Sequence, residues 1–272
     1  MTSWVPFAER RNILMNEELL RTLIVRTDSQ VVQGLNHLHL VGSEKVGLFP
    51  MPYILYAWNL SDDQYLLLSR SRFLTVEHED SVLAAGDVAD VYRYTTEEGL
   101  VTVVCFSLGL KLWEARTCLS LEAGKTVSET VRAILEDSGT NIQLLTFTGS
   151  DPVAARGQSY FGRAAEGISI ALSAAFARGY LVPAGLCVLP QEDQPISMTI
   201  REDDMLAEPE FPSGDLAVFR LKVAGWPIGK KIRAQWMGKT LVGIITERMT
   251  DADCQAGPWY TEVLVEVRSG ER

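Results

Sequence analysis

Residues 124–139 read GKTVSETVRAILEDSG, and residues 160–190 read YFGRAAEGISIALSAAFARGYLVPAGLCVLP. Together they decide the plan of the chain, because they carry its two well-signalled helices. In the first stretch Thr126 is a good N-cap, with Glu129 three residues on where a capping box wants it. Val127, Val131, Ile134 and Leu135 follow at the spacing of one helical face. Gly139 is placed to close that helix in the left-handed conformation. The second stretch predicts a helix that starts after Gly157 and Ser159. Its apolar stripe is Phe161, Ala164, Ala165, Ile168, Leu172, Ala175 and Phe176, and Gly179 stops it. A hairpin follows, with Tyr180–Val182 and Leu186–Val188 flanking Pro183-Ala184-Gly185.

Outside this island the chain reads as strands. On the N-terminal side these are 21–26, 34–42 and 53–59, then short strands at 65–68 and 73–78, with 60–63 as a turn. Residues 81–90 read as a strand or turn around Gly86, and 91–108 as a hairpin across Thr95–Gly99. On the C-terminal side, 216–223, the hairpin 230–247 across Gly238-Lys239, and 260–267 are strands, with Thr250–Asp253 breaking the pattern. Strands at short, regular spacing suggest barrels or sandwiches. The expected fold class is therefore mainly β (α+β): two tube-like β-barrel domains with a small α/β module between them. The expected division is an N-terminal segment or arm at 1–20, a first β domain at 21–123, the α/β module at 124–190, an acidic Pro-containing linker at 191–214 and a second β domain at 215–272. Residues 1–20 carry Trp4, Phe7, Ile13, Leu14, Leu19 and Leu20, and either pack on the body or reach a neighbouring subunit.

Composition narrows the function. The 272 residues are 47% hydrophobic and 22% charged, as in an ordinary globular chain. The formal net charge is −10, which argues against a protein that grips nucleic acid by neutralising phosphates. No apolar run is long enough for a membrane-spanning helix, and the first residues lack a signal-peptide pattern, so cytoplasmic synthesis is expected. Cys105, Cys118, Cys187 and Cys254 lie far apart and read as free thiols. His37 and His39 share one strand face, but no third ligand is visible in the sequence, so they read as strand-surface histidines. Arg163 and Arg178 bracket the second helix, either as anion or partner contacts or as ordinary capping.

Catalytic patterns are missing. There is no phosphate-binding loop, no nucleophile elbow and no cysteine–histidine pair, and the paired acids Asp203-Asp204 and Asp251/Asp253 sit in polar connections. The expectation is no enzyme, no catalytic residue, no cofactor and no metal. The candidate contact residues are Trp4, Phe7, Pro209 and Phe211.

The order of these parts resembles the baseplate hub proteins of phage tails and related contractile injection machines. It is carried by SLEAGKTVSETVRAILEDSG (120–139), by the second helix with its hairpin phrase Gly185-Leu186-Cys187-Val188, and by the closing strands around Val242-Gly243-Ile244. The resemblance covers most of residues 35 to 270. It implies a homotrimer with two tube-like β domains per subunit, presenting six in a ring. Such a ring joins the six-fold tail tube to the three-fold central spike and lines a channel through which DNA passes without specific binding. The implied partners are the tail tube and central spike proteins, with the tape measure and baseplate wedge proteins as further candidates. The implied location is the virion tail baseplate, assembled in the host cytoplasm. An alternative of the same origin is an N-terminal adaptor-type tail protein that anchors a separate lysin or fibre. No extension of the kind that degrades cell walls is seen, so lytic activity is not expected. A third reading, from a different class, is an unrelated acidic β-rich enzyme.

Overall fold

A computed structural model describes residues 21–190 and 194–267. The N-terminal region contains β1 (Ile24–Thr27), β2 (Leu38–Lys45), β3 (Pro52–Trp58), α1 (Asp62–Arg70), β4 (Phe73–His78), β5 (Ser81–Thr96) and β6 (Gly99–Ser107). A middle module follows, with α2 (Leu110–Glu114), β7 (Arg116–Leu121), α3 (Val127–Ser138), β8 (Leu144–Phe147), β9 (Gln158–Arg163), α4 (Ala164–Ser173), β10 (Ala177–Val182) and β11 (Gly185–Pro190). The C-terminal region holds β12 (Met198–Ile200), β13 (Glu210–Ser213), β14 (Leu216–Leu221), β15 (Lys231–Trp236), β16 (Lys239–Asp253) and β17 (Trp259–Val267). The protein is mainly β, with one large and largely antiparallel sheet, as the spacing of strand and turn signals suggests.

That sheet runs β1-β4-β5-β6-β3-β2-β16-β17-β14-β13, with β15 and β12 attached beside β16. The two β regions read as separate in the sequence are therefore hydrogen-bonded side by side. The seam is β2 against β16, antiparallel, from Glu247 opposite Lys45 to Asp253 opposite His39. Thr250–Asp253 does not break a strand but completes this pairing: Thr250 and Ala252 are fully buried, while Asp251 and Asp253 point to the other face.

The middle module explains how α3 forms. Thr126 Oγ1 accepts from Glu129 N–H, the Glu129 carboxylate accepts from Thr126 N–H at 2.9 Å, and Gly139 ends the helix at φ 65°. The cap contributes about 1 kcal/mol. Burying Val127, Val131, Ile134 and Leu135 contributes about 1.5–3 kcal/mol each, so the buried face supplies the stability and the cap sets where the helix starts. These side chains share a core with Ile168 and Leu172 of α4 and with Leu186 and Val188 of β11.

Local expectations are corrected in two places and made definite in two more. Residues 65–68 belong to α1, not to a strand: Ser61 and Gln64 form a reciprocal capping box that starts a helix where the sequence suggested a turn. The second long helix starts at Ala164, because residues 158–163 are β9 and pair with β7. Phe161 and Phe176 are exposed at 70% and 78% and are not part of its buried stripe, and Gly179 lies inside β10. Residues 81–96 form one strand. It can pass so close to the β6 exit because Gly86 has no Cβ to strike the Ser107 carbonyl. The acidic stretch 194–214 carries β12, which pairs parallel to β15, and β13, which pairs with β14.

Candidate assembly surfaces

The seam has two unlike faces. On its buried face, Arg248 of β16 lies against Glu44 of β2, with Nη2 at 2.9 Å from the carboxylate. The same guanidinium donates to the Leu83 carbonyl of β5 at 2.8 Å and to the Trp226 carbonyl before β15 at 3.2 Å. One side chain of β16 thus binds three other segments, two from the N-terminal β region and one from the C-terminal. Burial opposes its charge, and the Glu44 carboxylate and the Tyr53 phenol together outweigh that, holding the guanidinium above its ordinary pKa. Tyr53 lies beside it, fully buried, and burial pushes its phenol up. Tyr53 Oη and Arg248 Nε face this cluster without meeting hydrogen-bond geometry.

The opposite face is aromatic and polar. His39 Nε2 sits 2.7 Å from Asp251 Oδ1 across the seam. His37 stacks on Trp58 with ring centres 3.8 Å apart, and its Nε2 is 3.9 Å from Asp253. The two histidines do share a face, and their partners are carboxylates of β16. Among the described residues no group of three or more His, Cys, Asp or Glu is placed to hold a metal ion. Pairing continues the face on one side through Tyr56 to Tyr92 and Tyr94, both more than 40% exposed. On the other side it reaches Tyr260 and Arg220, whose guanidinium lies 4.6 Å from the Tyr260 ring centre. Burial pushes the Tyr260 phenol up, and the Asp251 charge adds to the effect. Tyr, Trp, His and Arg gathered on one surface resemble the core of a protein–protein interface more than a solvated sheet.

The candidate contacts divide. Trp4 and Phe7 lie outside the described residues. Pro209 is half-buried, and Phe211 is 52% exposed on β13, which ends the sheet path. The Phe211 ring lies 6.1 Å from Trp236. All four residues of β13 are exposed, so β13 presents an open strand edge.

The sequence reading missed a third surface. A groove of about 760 Å³ runs between the β2 exit, α2 and α4. Phe49 packs edge-on against Trp113 at 4.9 Å, and Arg163 covers Trp113 at 4.6 Å. Arg163 makes no side-chain cap of α4, and its guanidinium lies between the Trp113 ring and the Glu166 carboxylate, 3.8 Å away. Arg178, expected in a last helical turn, sits on β10 and pairs with Glu266 at 3.0 Å on the surface. Among the described residues the four cysteines are free, with Cys187 buried and Cys118 exposed. No helix of the described residues is long and apolar enough to cross a membrane.

No protein-family model and no curated protein sequence matches the chain. Solved structures do. The tail protein from Neisseria meningitidis MC58 superposes with a TM-score of 0.69 at 8% identity, over 92% of this chain and 96% of that one. The 43 kDa tail protein of prophage MuSo2 from Shewanella oneidensis gives 0.66 at 9% identity, over 90% and 97%. The E. coli c3393 protein gives 0.64 at 9% identity, over 91% and 77%. That protein is described as a component of the type VI secretion system with structural similarity to the T4 tail proteins gp27 and gp5. The order of elements that resembled tail hubs in the sequence thus corresponds to a shared architecture: this chain has the fold of phage tail proteins and of a type VI secretion component built like them.

Proposed function

We propose that the protein is a structural tail component, a trimeric baseplate hub that joins the six-fold tail tube to the three-fold central spike. The observation that carries this reading is the seam. β2 and β16 fuse two β regions into one sheet, and Arg248 locks them from beneath. A subunit that offers two β regions in fixed register can contribute two of six positions in a ring made by three copies. The aromatic face and the open edge at Phe211 supply surfaces for closing such a ring. A net charge of −10 suits a channel wall along which DNA slides without sticking.

The role proposed is mechanical and not enzymatic. Arg248 and Tyr53, whose ionisations are strongly perturbed, are buried in the junction between the two β regions. Tail tube and spike proteins are the proposed partners, and the tail baseplate is the proposed location. Mixing the purified chain with its tube and spike proteins, followed by negative-stain imaging, tests this. Rings with a central hole, bound to tube at one end and spike at the other, are expected. Binding to a lysin or fibre alone, with no tube contact, would favour the adaptor role and overturn the hub.

A further inference from the structure

We propose that the groove between the β2 exit, α2 and α4 is the docking site of this chain's own N-terminal segment, with Trp4 and Phe7 filling it. The groove is lined by Val46, Leu48, Phe49, Met51, Trp113 and Ile170. Phe49 and Ile170 at its mouth are 61% and 64% exposed. Two large apolar side chains left open at one concavity mark a surface that a partner covers. At about 760 Å³ it falls in the roughly 300–1,000 Å³ range of sites that bury a compact apolar body, here two aromatic side chains.

Three observations select the occupant. The first is sequence. Residues 1–20 hold Trp4 and Phe7 three apart, a spacing that puts both on one side of a helical turn. The second is charge. Glu9, Arg10 and Arg11 follow them, and the groove carries Lys45, Glu166 and Glu247 around its apolar floor, one sign for each.

The third is reach. Arg21 is anchored beside Trp259, its guanidinium 5.6 Å from the ring and donating to the Gly257 carbonyl. Trp259 pairs with Ala252 near one end of the seam, and Glu247 of the groove pairs with Lys45 near the other. That separation is about 20 Å along the strand. The residues between Phe7 and Arg21 span about 20 Å as a helix and more than 40 Å extended, so the segment reaches the groove of its own chain either way.

Two readouts test the proposal. The first is a disulfide between Phe7→Cys and Ile170→Cys in a Cys118→Ser background. Oxidation is expected to close a loop within single chains, seen as a faster-running monomer on a non-reducing gel. A Phe7→Cys, Glu97→Cys pair should stay open. A dimer-mass product would assign the groove to a neighbouring copy's segment, and no product would assign it to another partner; either overturns the proposal. Should Ile170→Cys fail to fold by circular dichroism, Ser169→Cys on the same exposed turn replaces it. The second readout is trypsin cleavage after Arg10 and Arg11, expected to be about tenfold faster in Ile170→Asp than in the parent. Equal rates would contradict docking. Neither readout depends on assembly, so a chain that closes the loop but never trimerises would refute the hub and leave this docking intact.

Discussion

Arg248 Nη2 and Glu44 lie 2.9 Å apart on paired strands, one from each β region, with the Arg248 side chain 6% exposed. A buried pair of this kind contributes little over a well-packed apolar pair, because both ions lose their water. Removing one partner is different, since it strands the other. Arg248→Ala should therefore cost about 3–5 kcal/mol in urea unfolding, while Arg248→Met with Glu44→Leu should return most of that. If the double variant is no better than Arg248→Ala, the carbonyls of Leu83 and Trp226 and not Glu44 set the cost of the missing guanidinium.

Gly86 makes a second, steric prediction. A Cβ there would collide with the Ser107 carbonyl and the Leu108 amide, which are backbone and cannot swing aside. Gly86→Ala should destabilise the protein by about 1–3 kcal/mol, the usual cost of forced overpacking. An unchanged melting temperature would mean that β5 and β6 are not packed this closely.

Acid should loosen the middle module. Asp137 accepts from Thr117 Oγ1 at 2.7 Å and from Cys118 N–H at 2.9 Å, and these bonds hold its carboxyl below the usual range. Asp151 is opposed by burial, but bonds from Ser128, Thr126 and Val127 prevail and lower it too. A lowered carboxylate stabilises the fold at any pH above the unfolded value, near 4, and that stabilisation is lost as pH falls through the folded value. Melting temperature should therefore drop between about pH 4 and the lower folded values, and Asp137→Asn with Asp151→Asn should flatten that drop. A parallel fall in both proteins would place the acid sensitivity elsewhere.

Phe211 separates stability from assembly. It is half-exposed on an edge strand, so Phe211→Asp should shift the melting temperature by no more than a degree or two while weakening self-association at least tenfold. Unchanged association would remove β13 from the interface.

The elements legible in the sequence were those whose cause is local. The α3 helix was readable because Thr126, Glu129 and Gly139 cap it within sixteen residues of chain. The same box at Ser61 and Gln64 does not by itself reveal a helix, because the four residues Tyr65–Leu68 are too few to show a period. Phe161 misled because an apolar residue beside a helical run looks buried, and only pairing of β9 with β7 shows that it faces out. The seam could not be read at all. His39 and Asp251 are 212 positions apart, and Arg248 and Glu44 are 204 apart, so their meeting depends on the whole topology. The groove was hidden for the same reason: Phe49, Trp113 and Ile170 come from three distant segments.

The trimeric hub is tested by the mass of the purified chain in solution, alone and with its tube and spike proteins, by light scattering. A species of about 90 kDa, three copies of a 30.1 kDa chain, is expected at the latest when the spike is added. A compact dimer, or a monomer that persists with both proteins present, would contradict it.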